Sequence, residues 1–508
     1  MNTPLRRVGI AMMVLTLLLM ANITYTQVID ASTYQSDPHN KRQVELQLSQ
    51  QRGQILASDG TVLANSQPTN DSLKYQRMYP NGPMYSGVTG YFSVGSGPHG
   101  MEFAENSILT GSDDRLAIRR LSDLITGRTP AGGNVELTID PKIQQAAYNY
   151  MTQHGFTGAA VAIQPSTGQI LAMVSVPSYD PNALASHDST AATNAYNALN
   201  PNSPVSPLLN QAANAAYQPG STFKLVVATA ALMNGVDDEN TANLPGQGAI
   251  TLPGTNTLLH NFDGESCGGN SGQVTMKDAI AHSCNTAFAT LAGRVGASAL
   301  AAQAARFGFG QTDLSIPLGV SASCVGPNNN GNCMSIQNGT PGLYQSGIGQ
   351  QSVQETPLQN AMIAAAIANG GVLMQPQLVK KLLAPDLSSV QDFSAQTLND
   401  NVMSSSVAAT MTDMMEASET NSGTLCKNNS ITIASKTGTA EHGNDPKNTQ
   451  PFGWYDAFVP GANGNPSPIA VSVVVTSGGN LDAATVGAKV AGPVGRAMIN
   501  AAMGDTAC

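Results

Sequence analysis

The apolar positions of the chain fall into three kinds of run, and each kind implies a different element. The longest comes first: Val8 to Ile23 is strongly apolar and uncharged, and Thr24, Tyr25 and Thr26 carry the uncharged stretch on towards Ile29. About 20 such residues in a helix cross a bilayer, and Arg6 and Arg7 just before them would stay on the cytoplasmic side by the positive-inside rule. A cleaved signal peptide is the alternative, but Met20-Ala21-Asn22 offers no small-x-small cleavage site. Residues 1–29 therefore read as a cytoplasmic stub and an uncleaved, single-pass anchor in the cell membrane, with the remainder outside the cytoplasm.

The second kind of run has strand length. Val44 to Ser66 reads as extended, with Asp59-Gly60 between apolar residues as a hairpin signal. From there to Gly133 the chain is rich in Gly, Ser, Tyr and Pro with few long apolar periods, which suggests an irregular, mainly β module over 30–133 that carries no chemistry. The pattern changes at Asn134, where a third segment, 134–508, begins. Val135 to Ile139 reads as a strand, and Asp140-Pro141 opens a helix through Met151, the Asp capping and the Pro in the first turn. Ala159–Ile163 and Gln169–Val176, separated by Pro165-Ser166-Thr167-Gly168, make a strand-turn-strand. Ile431–Ser435, Trp454–Val459 and Ile469–Thr476 read as three more strands, and Val486–Met503 as a helix interrupted or started at Pro493. A sheet drawn from both ends of this segment, with helical sequence between them, is the simplest α+β architecture.

Composition narrows the function classes. The 508 residues carry a formal charge of -10 without a Lys/Arg cluster, which argues against a nucleic-acid partner. The 7 histidines show no H-x-x-x-H spacing, so neither a metal nor another cofactor is expected. The 6 cysteines suit disulfides in an oxidising compartment. Cys324 and Cys333 flank a Gly/Asn-rich loop that folds back easily, which makes them the first candidate pair, with buried free thiols as the alternative.

The third kind of run is apolar all round. Ser221-Thr222-Phe223-Lys224 follows the turn Gln218-Pro219-Gly220 and leads into Leu225 to Met233, a helix without a polar face and hence buried, with Gly235 as its stop. Positions i and i+3 share a helix face, so the Ser221 hydroxyl and the Lys224 amine can meet. Burial would depress the amine's pKa and let it take the serine proton, and the helix N-terminus adds positive potential where an oxyanion would form. An N-cap serine and an ion-paired lysine are the plain alternative, and Ser-x-x-Lys alone is weak evidence. Ser283-Cys284-Asn285 sits between two helical stretches, where Asn285 is either a helix cap or, with Ser283, part of a proton relay and an amide for a substrate carbonyl. Lys436-Thr437-Gly438-Thr439 follows the strand Ile431–Ser435; a cation and a hydroxyl on a strand edge suit a carboxylate, and Gly438 lets a ligand backbone approach.

In that order, S-x-x-K, S-x-N and K-T-G resemble the three motifs of the penicillin-binding proteins and serine β-lactamases. Thr138-Ile139-Asp140, Ala162 to Met173, Gly347-Ile348-Gly349-Gln350, Thr356-Pro357-Leu358-Gln359 and Ala368-Asn369-Gly370-Gly371 resemble landmarks of the class B penicillin-binding transpeptidase domain, and Arg52-Gly53-Gln54-Ile55 the start of that class's N-terminal module. The resemblance covers most of the chain. It implies an antiparallel sheet flanked by helices, with Ser221 as the acylated nucleophile, Lys224 as its base, and Ser283 and Asn285 as relay and positioning groups. Lys436 and Thr437, with Gly438 beside them, would hold the carboxylate of a D-Ala-D-Ala stem, and the backbone amides of Ser221 and Thr439 would form an oxyanion hole. The implied activity is a ping-pong peptidoglycan D,D-transpeptidase of cell wall synthesis and cell division. Its implied partners are stem peptides, β-lactams, the cytoplasmic membrane and division or elongation proteins. Cys284 departs from the charged residue more familiar at that place, which points to a Cys267–Cys284 bridge beside the site; the loop between them opens with Gly268, Gly269, Asn270 and Gly272.

Rivals share the chemistry. A D,D-carboxypeptidase would use the same serine, and a β-lactamase shares the spelling Ser221-Thr222-Phe223-Lys224, although the anchor, the extra module and the length speak against the latter. A bifunctional synthase needs a glycosyltransferase domain, for which about 100 residues are too few. A β-lactam sensor would need an output domain before the membrane span, and an idle division scaffold should have lost one of three motifs that are all intact.

Overall fold

The computed structural model describes residues 2–30, 47–127, 131–267, 272–312, 314, 316–329, 332–443, 448–479, 486–505 and 508. Its first element, α1 (Asn2–Thr24), continues as a π-helical turn over Tyr25–Ile29. Among the described residues Thr3–Ile29 is the one helix long and apolar enough to cross a membrane, and Leu15, Leu17 and Leu18 are exposed along it.

Asp59-Gly60 closes a hairpin: β1 (Ile55–Leu56) pairs antiparallel with β2 (Val62–Pro68), Gly60 takes φ +87°, and Asp59 Oδ1 accepts the Thr61 N–H at 2.9 Å. β3 (Tyr75–Met78) pairs with the far side of β2. Of the extended run expected from Val44, residues 44–46 lie outside the described residues. α2 (Gly82–Thr89) packs beside β2 and α3 (Ala117–Ile125) follows further along the chain, so the module is mixed where a mainly β one was expected. α2 is too short to show an apolar period, and it buries Gly82, Tyr85, Ser86 and Val88 through tertiary contact rather than through its own pattern. β4 (Asn134–Leu137) lies parallel to β1 and antiparallel to the late strand Val379–Leu383 in a six-stranded sheet. The expected boundary at 133/134 thus falls at a strand with partners on both sides of it.

From β4 the chain runs through α4 (Pro141–Gln153), β5 (Phe156–Ile163) and β6 (Ile170–Val176). The helices α5 (Lys224–Met233), α6 (Met276–Ala281), α7 (Asn285–Val295), α8 (Pro357–Ala368) and α9 (Ser405–Glu419) follow. It returns as β7 (Ala434–Ala440), β8 (Phe452–Phe458), β9 (Ala470–Gly478) and α10 (Gly487–Ala502). The five long strands form one antiparallel sheet in the order β7-β8-β9-β5-β6, drawn from both ends of this segment. β5 and β9 are apolar on both faces over Ala159–Ile163 and, apart from Ser472, over Ala470–Val475, because both faces are covered. Ala159, Val161 and Val474 join the core that includes α8, whereas Ala160, Ala162, Val471 and Val473 join the one that includes α4 and α10. α4 is capped by Asp140, whose Oδ1 accepts the Lys142 N–H at 2.8 Å.

Two boundaries differ from the sequence reading. β7 starts at Ala434 and runs through Lys436-Thr437-Gly438-Thr439, because its pairing with β8, from Ala434↔Phe458 to Ala440↔Phe452, decides its length and hydrophobicity does not. α10 passes through Pro493 unbroken: Val490, Val494 and Met498 are packed into the core, and that burial outweighs the backbone bond that proline cannot make.

A buried ion cluster organises the first module. Glu102 accepts from Arg52 Nε at 2.5 Å, from Arg77 Nε at 2.6 Å and from the Tyr79 hydroxyl at 3.1 Å. Both guanidiniums also donate to backbone, Arg52 to Glu102 O and Arg77 to Gly53 O, each at 2.6 Å. Burial alone would raise the Glu102 pKa; the two arginines outweigh it and hold the carboxyl below its ordinary value. Its stabilising contribution is therefore present above the ordinary carboxylate range and is lost as pH falls through the depressed value. Glu102→Gln leaves two buried cations short of a counter-charge and is expected to remove about 3–5 kcal/mol of stability. Urea unfolding of the full chain in detergent at pH 7 checks this; a loss below about 1 kcal/mol would mean that the cluster carries no more than a surface pair.

Candidate active site

The turn ahead of α5 is held from three sides. Trp454 Nε1 donates to Gln218 O at 2.8 Å, and the Gly220 N–H donates to Gly349 O at 2.9 Å. Gly220, at φ +58°, approaches β7 so closely that an added Cβ would stand 2.6 Å from Thr439 O. Ser221 then falls in a 3-10 turn, Gly220–Phe223, that leads into α5. This tighter winding eclipses residues three apart, which keeps Ser221 and Lys224 on one face. The Ser221 hydroxyl is half-buried and makes no hydrogen bond to the described residues; it opens on a cleft of about 290 Å³ that Ser283, Asn285, Thr437 and Thr439 also line.

Lys224 turns to the second motif. Its Nζ donates to Ser283 O at 2.7 Å, to Asn285 Oδ1 at 2.9 Å and to Ser283 Oγ at 3.3 Å. From β7, Lys436 Nζ donates to the same Ser283 Oγ at 2.9 Å and to Thr437 O at 3.1 Å. Two amines thus converge on one hydroxyl. Ser283 can serve both because it sits at φ +58° between α6 and α7, a left-handed conformation unusual for serine that turns its carbonyl and its side chain to the same side. Asn285 does not cap α7: Cys284 holds the cap position, Asn285 Nδ2 donates to His260 O at 3.0 Å, and Asn261 Oδ1 takes the Thr286 N–H at 3.0 Å.

Both lysines are buried, and neither has a carboxylate within ion-pair distance among the described residues. Burial first, and then the charge of Lys436, hold the Lys224 amine well below its ordinary pKa. Burial lowers Lys436 to about 7. Both shifts favour the uncharged amine where the two lysines meet Ser283, and Lys436 is the one poised near neutrality.

The cysteines are all paired. Cys267 is joined to Cys284, with Cα atoms 6.1 Å apart, and Cys324 to Cys333 at 5.2 Å. Residues 268–271, the glycine-rich opening of the first loop, lie outside the described residues. A third bridge, Cys426–Cys508 at 5.3 Å, was not anticipated; the two are 82 positions apart and no local loop signal marks them. Another feature missed by motif reading is the anchor of β7. Glu419 at the end of α9 accepts from Arg496 Nε at 2.9 Å, from the Tyr455 hydroxyl at 3.0 Å and from the hydroxyl of Ser435, the residue before Lys436. The one available signal was Arg496, a cation inside the apolar stretch Val490–Ile499 of α10.

A family model described as the penicillin binding protein transpeptidase domain matches residues 158–500. The chain belongs to the penicillin-binding protein transpeptidases. A second model, the penicillin binding protein A dimerisation domain, matches residues 52–135. Among similar proteins, the peptidoglycan D,D-transpeptidase PbpA of Mycolicibacterium smegmatis is 45% identical over 99% of either chain, and that of Mycobacterium tuberculosis 43% identical over 99% of either. Among solved structures, a ceftriaxone acyl-enzyme complex of penicillin-binding protein A from M. tuberculosis has a TM-score of 0.84 at 43% identity, covering 90% of this chain and 100% of that one. The D,D-transpeptidase domain of a peptidoglycan glycosyltransferase from Eggerthella lenta has a TM-score of 0.70 at 30% identity, covering 90% and 98%. This penicillin-binding transpeptidase has the α+β fold that the motifs implied.

Lys436 titrates near 7 in the fold and at an ordinary 10.5 when unfolded. Between those values the unfolded chain binds more protons, so this group makes stability rise with pH across that window. Lys436→Met removes the buried amine and is expected to be at least about 1 kcal/mol more stable than wild type at pH 7. The gain should shrink towards pH 10. Calorimetry of both proteins across that range reads the difference, and a variant less stable than wild type at pH 7 would contradict the burial argument.

Proposed function

We propose that the chain is a peptidoglycan D,D-transpeptidase that cross-links stem peptides ending in D-Ala-D-Ala through an ester on Ser221. The observation that carries this reading is the convergence of Lys224 and Lys436 on Ser283 Oγ, beside a serine hydroxyl that faces the cleft. The uncharged Lys224 amine takes the Ser221 proton as Oγ attacks the carbonyl between the two D-alanines. The N–H groups of Ser221 and Thr439 face the developing oxyanion. Ser283, with two lone pairs for the amines and one proton to give, passes a proton to the departing D-Ala nitrogen. Lys436 and Thr437 hold the terminal carboxylate, whose charge draws the Lys436 pKa upward on binding, and Gly438 leaves room for the ligand backbone. Asn285 orients Lys224 and the stem. A neighbouring stem's amine then displaces Ser221 from the ester, and the proton returns by the same route. A D,D-carboxypeptidase would differ only in using water at this step, and analysis of products with and without an amine acceptor separates the two.

In this reading residues 1–29 form the cytoplasmic stub and anchor, 30–133 a non-catalytic pedestal, and 134–508 the transpeptidase domain, with division or elongation proteins as neighbours in the membrane. One experiment tests nucleophile and orientation together. A membrane-impermeant labelled penicillin added to intact spheroplasts is expected to acylate Ser221, and Ser221→Ala to remain folded and unlabelled. An adduct mapped to another serine would sink the assignment, and labelling only after lysis would reverse the orientation.

The Cys267–Cys284 bridge is expected to tune the site as well as support the fold, since Cys284 stands between Ser283 and Asn285. Closing a loop of this length contributes on the order of 3 kcal/mol through the unfolded state. Cys267→Ser should therefore unfold earlier and also acylate more slowly while still fully folded, because small displacements of Ser283 are costly. Unchanged acylation would reduce the bridge to a staple.

A further inference from the structure

Behind the cleft lie two carboxyl groups that the chemistry above does not use. Glu355, just before α8, and Asp456, on β8, are both fully buried. Among the described residues none of their four oxygens has a hydrogen bond of ordinary geometry, and neither do two buried neighbours, Asn360 Oδ1 and Ser472 Oγ, although the Thr222 and Ser472 hydroxyls stand near Glu355 and Asp456 respectively. Their positions show what they separate. Asp456 is the cross-strand partner of Lys436 on one side and of Ser472 on the other, so the three side chains share one face of the sheet. Glu355 is bridged through its backbone to Tyr217, ahead of the Ser221 turn, by two hydrogen bonds of 2.9 Å. Its carboxyl stands beside the hydroxyl of Thr222, the residue after Ser221.

Resting on the reading of Ser221 as nucleophile, we propose that Glu355 and Asp456 are positioning residues for acylation: two buried carboxyl groups that brace the Ser221 turn against the strand carrying Lys436. A count of protons supports this. The Thr222 hydroxyl donates its only proton to Pro219 O at 3.0 Å and accepts from Asn360 Nδ2 at 3.1 Å. One lone pair remains, and a neighbouring carboxyl can use it only if it carries a proton of its own. The cations of the adjoining elements, Lys224 on α5 and Lys436 on β7, both turn their amines to Ser283 and leave the carboxyls without a counter-charge. Burial favours the neutral form of both acids and outweighs the Thr222 and Ser472 hydroxyls, which favour the ionised forms; Asp456 further disfavours ionisation of Glu355. A neutral acid offers a donor and an acceptor, and so can link hydroxyl, carboxyl and internal water across the gap where two carboxylates would repel.

The brace fixes the distance between the Ser221 and Thr439 amides, which belong to separate segments. Infrared spectra of the detergent-solubilised full chain at pH 7 read the acids directly: carbonyl bands of un-ionised carboxyls are expected, one lost in Glu355→Gln and another in Asp456→Asn. Acylation by a labelled penicillin is expected to slow about tenfold or more in Glu355→Ala and to return to within about threefold of wild type in Glu355→Gln, which restores a neutral donor and acceptor. Absence of the bands, a Gln variant as slow as the Ala variant, or an Ala variant as fast as wild type would each overturn the proposal. If Glu355→Ala does not fold, the bands and the ratio of Gln variant to wild type decide. Wild-type protein that labels at a residue other than Ser221 would instead overturn the catalytic reading, leaving the bands to judge the pair.

Discussion

Burying an amine with no carboxylate in ion-pair distance is costly, and this chain does so twice, with Lys224 and Lys436, around a single serine hydroxyl. The cost falls when an amine gives up its proton, so burial shifts these lysines towards the neutral form without any dedicated base to deprotonate them. Two cations a few ångströms apart would repel strongly in that medium; one charged and one neutral can share the oxygen between them. The two differ in their partners and not in depth: Lys224 is bonded to a carbonyl and an amide, whereas Lys436 lies on the edge strand β7.

Much of the surrounding structure serves to hold three segments at that oxygen. The left-handed Ser283 is a strained residue that survives because its neighbours over-determine it: α6 and α7 flank it, the Cys284 N–H donates to Ala279 O at 2.9 Å, and a disulfide fixes the adjacent Cβ. On the opposite wall, Ser435 is bound to the buried Glu419–Arg496 pair, which ties β7 to α9 and α10. The turn bearing Ser221 lies between these walls, close enough to β7 that its glycine cannot be replaced without moving one of them.

The three motifs, the hairpin at Asp59-Gly60 and the five long strands were legible because each rests on local pattern. Lys224 shows where local pattern stops: spacing places its amine near Ser221, but the strongest acceptor within reach is a carbonyl 59 residues later. The extent of β7 was hidden because Ser, Thr and Gly in a strand carry no apolar period, and only the partner β8 defines them. Arg52 was visible within its motif, whereas Arg77, Tyr79 and Glu102 are ordinary polar residues until the fold gathers them. The same holds for Glu355 and Asp456, whose significance lies in the neighbouring amines turning away from them to Ser283, a property that no spacing encodes.

The strand order β7-β8-β9-β5-β6 carries a consequence for synthesis. The hairpin of β5 and β6 is made early, yet the strand that covers its inner edge, β9, follows only about 300 residues later. Until then the ribosome has produced an apolar hairpin with one row of peptide groups unpaired, the kind of edge that recruits other chains. A nascent chain of this topology depends on something outside itself, a chaperone or rapid delivery to the membrane, for the interval in which its own partner strand does not yet exist.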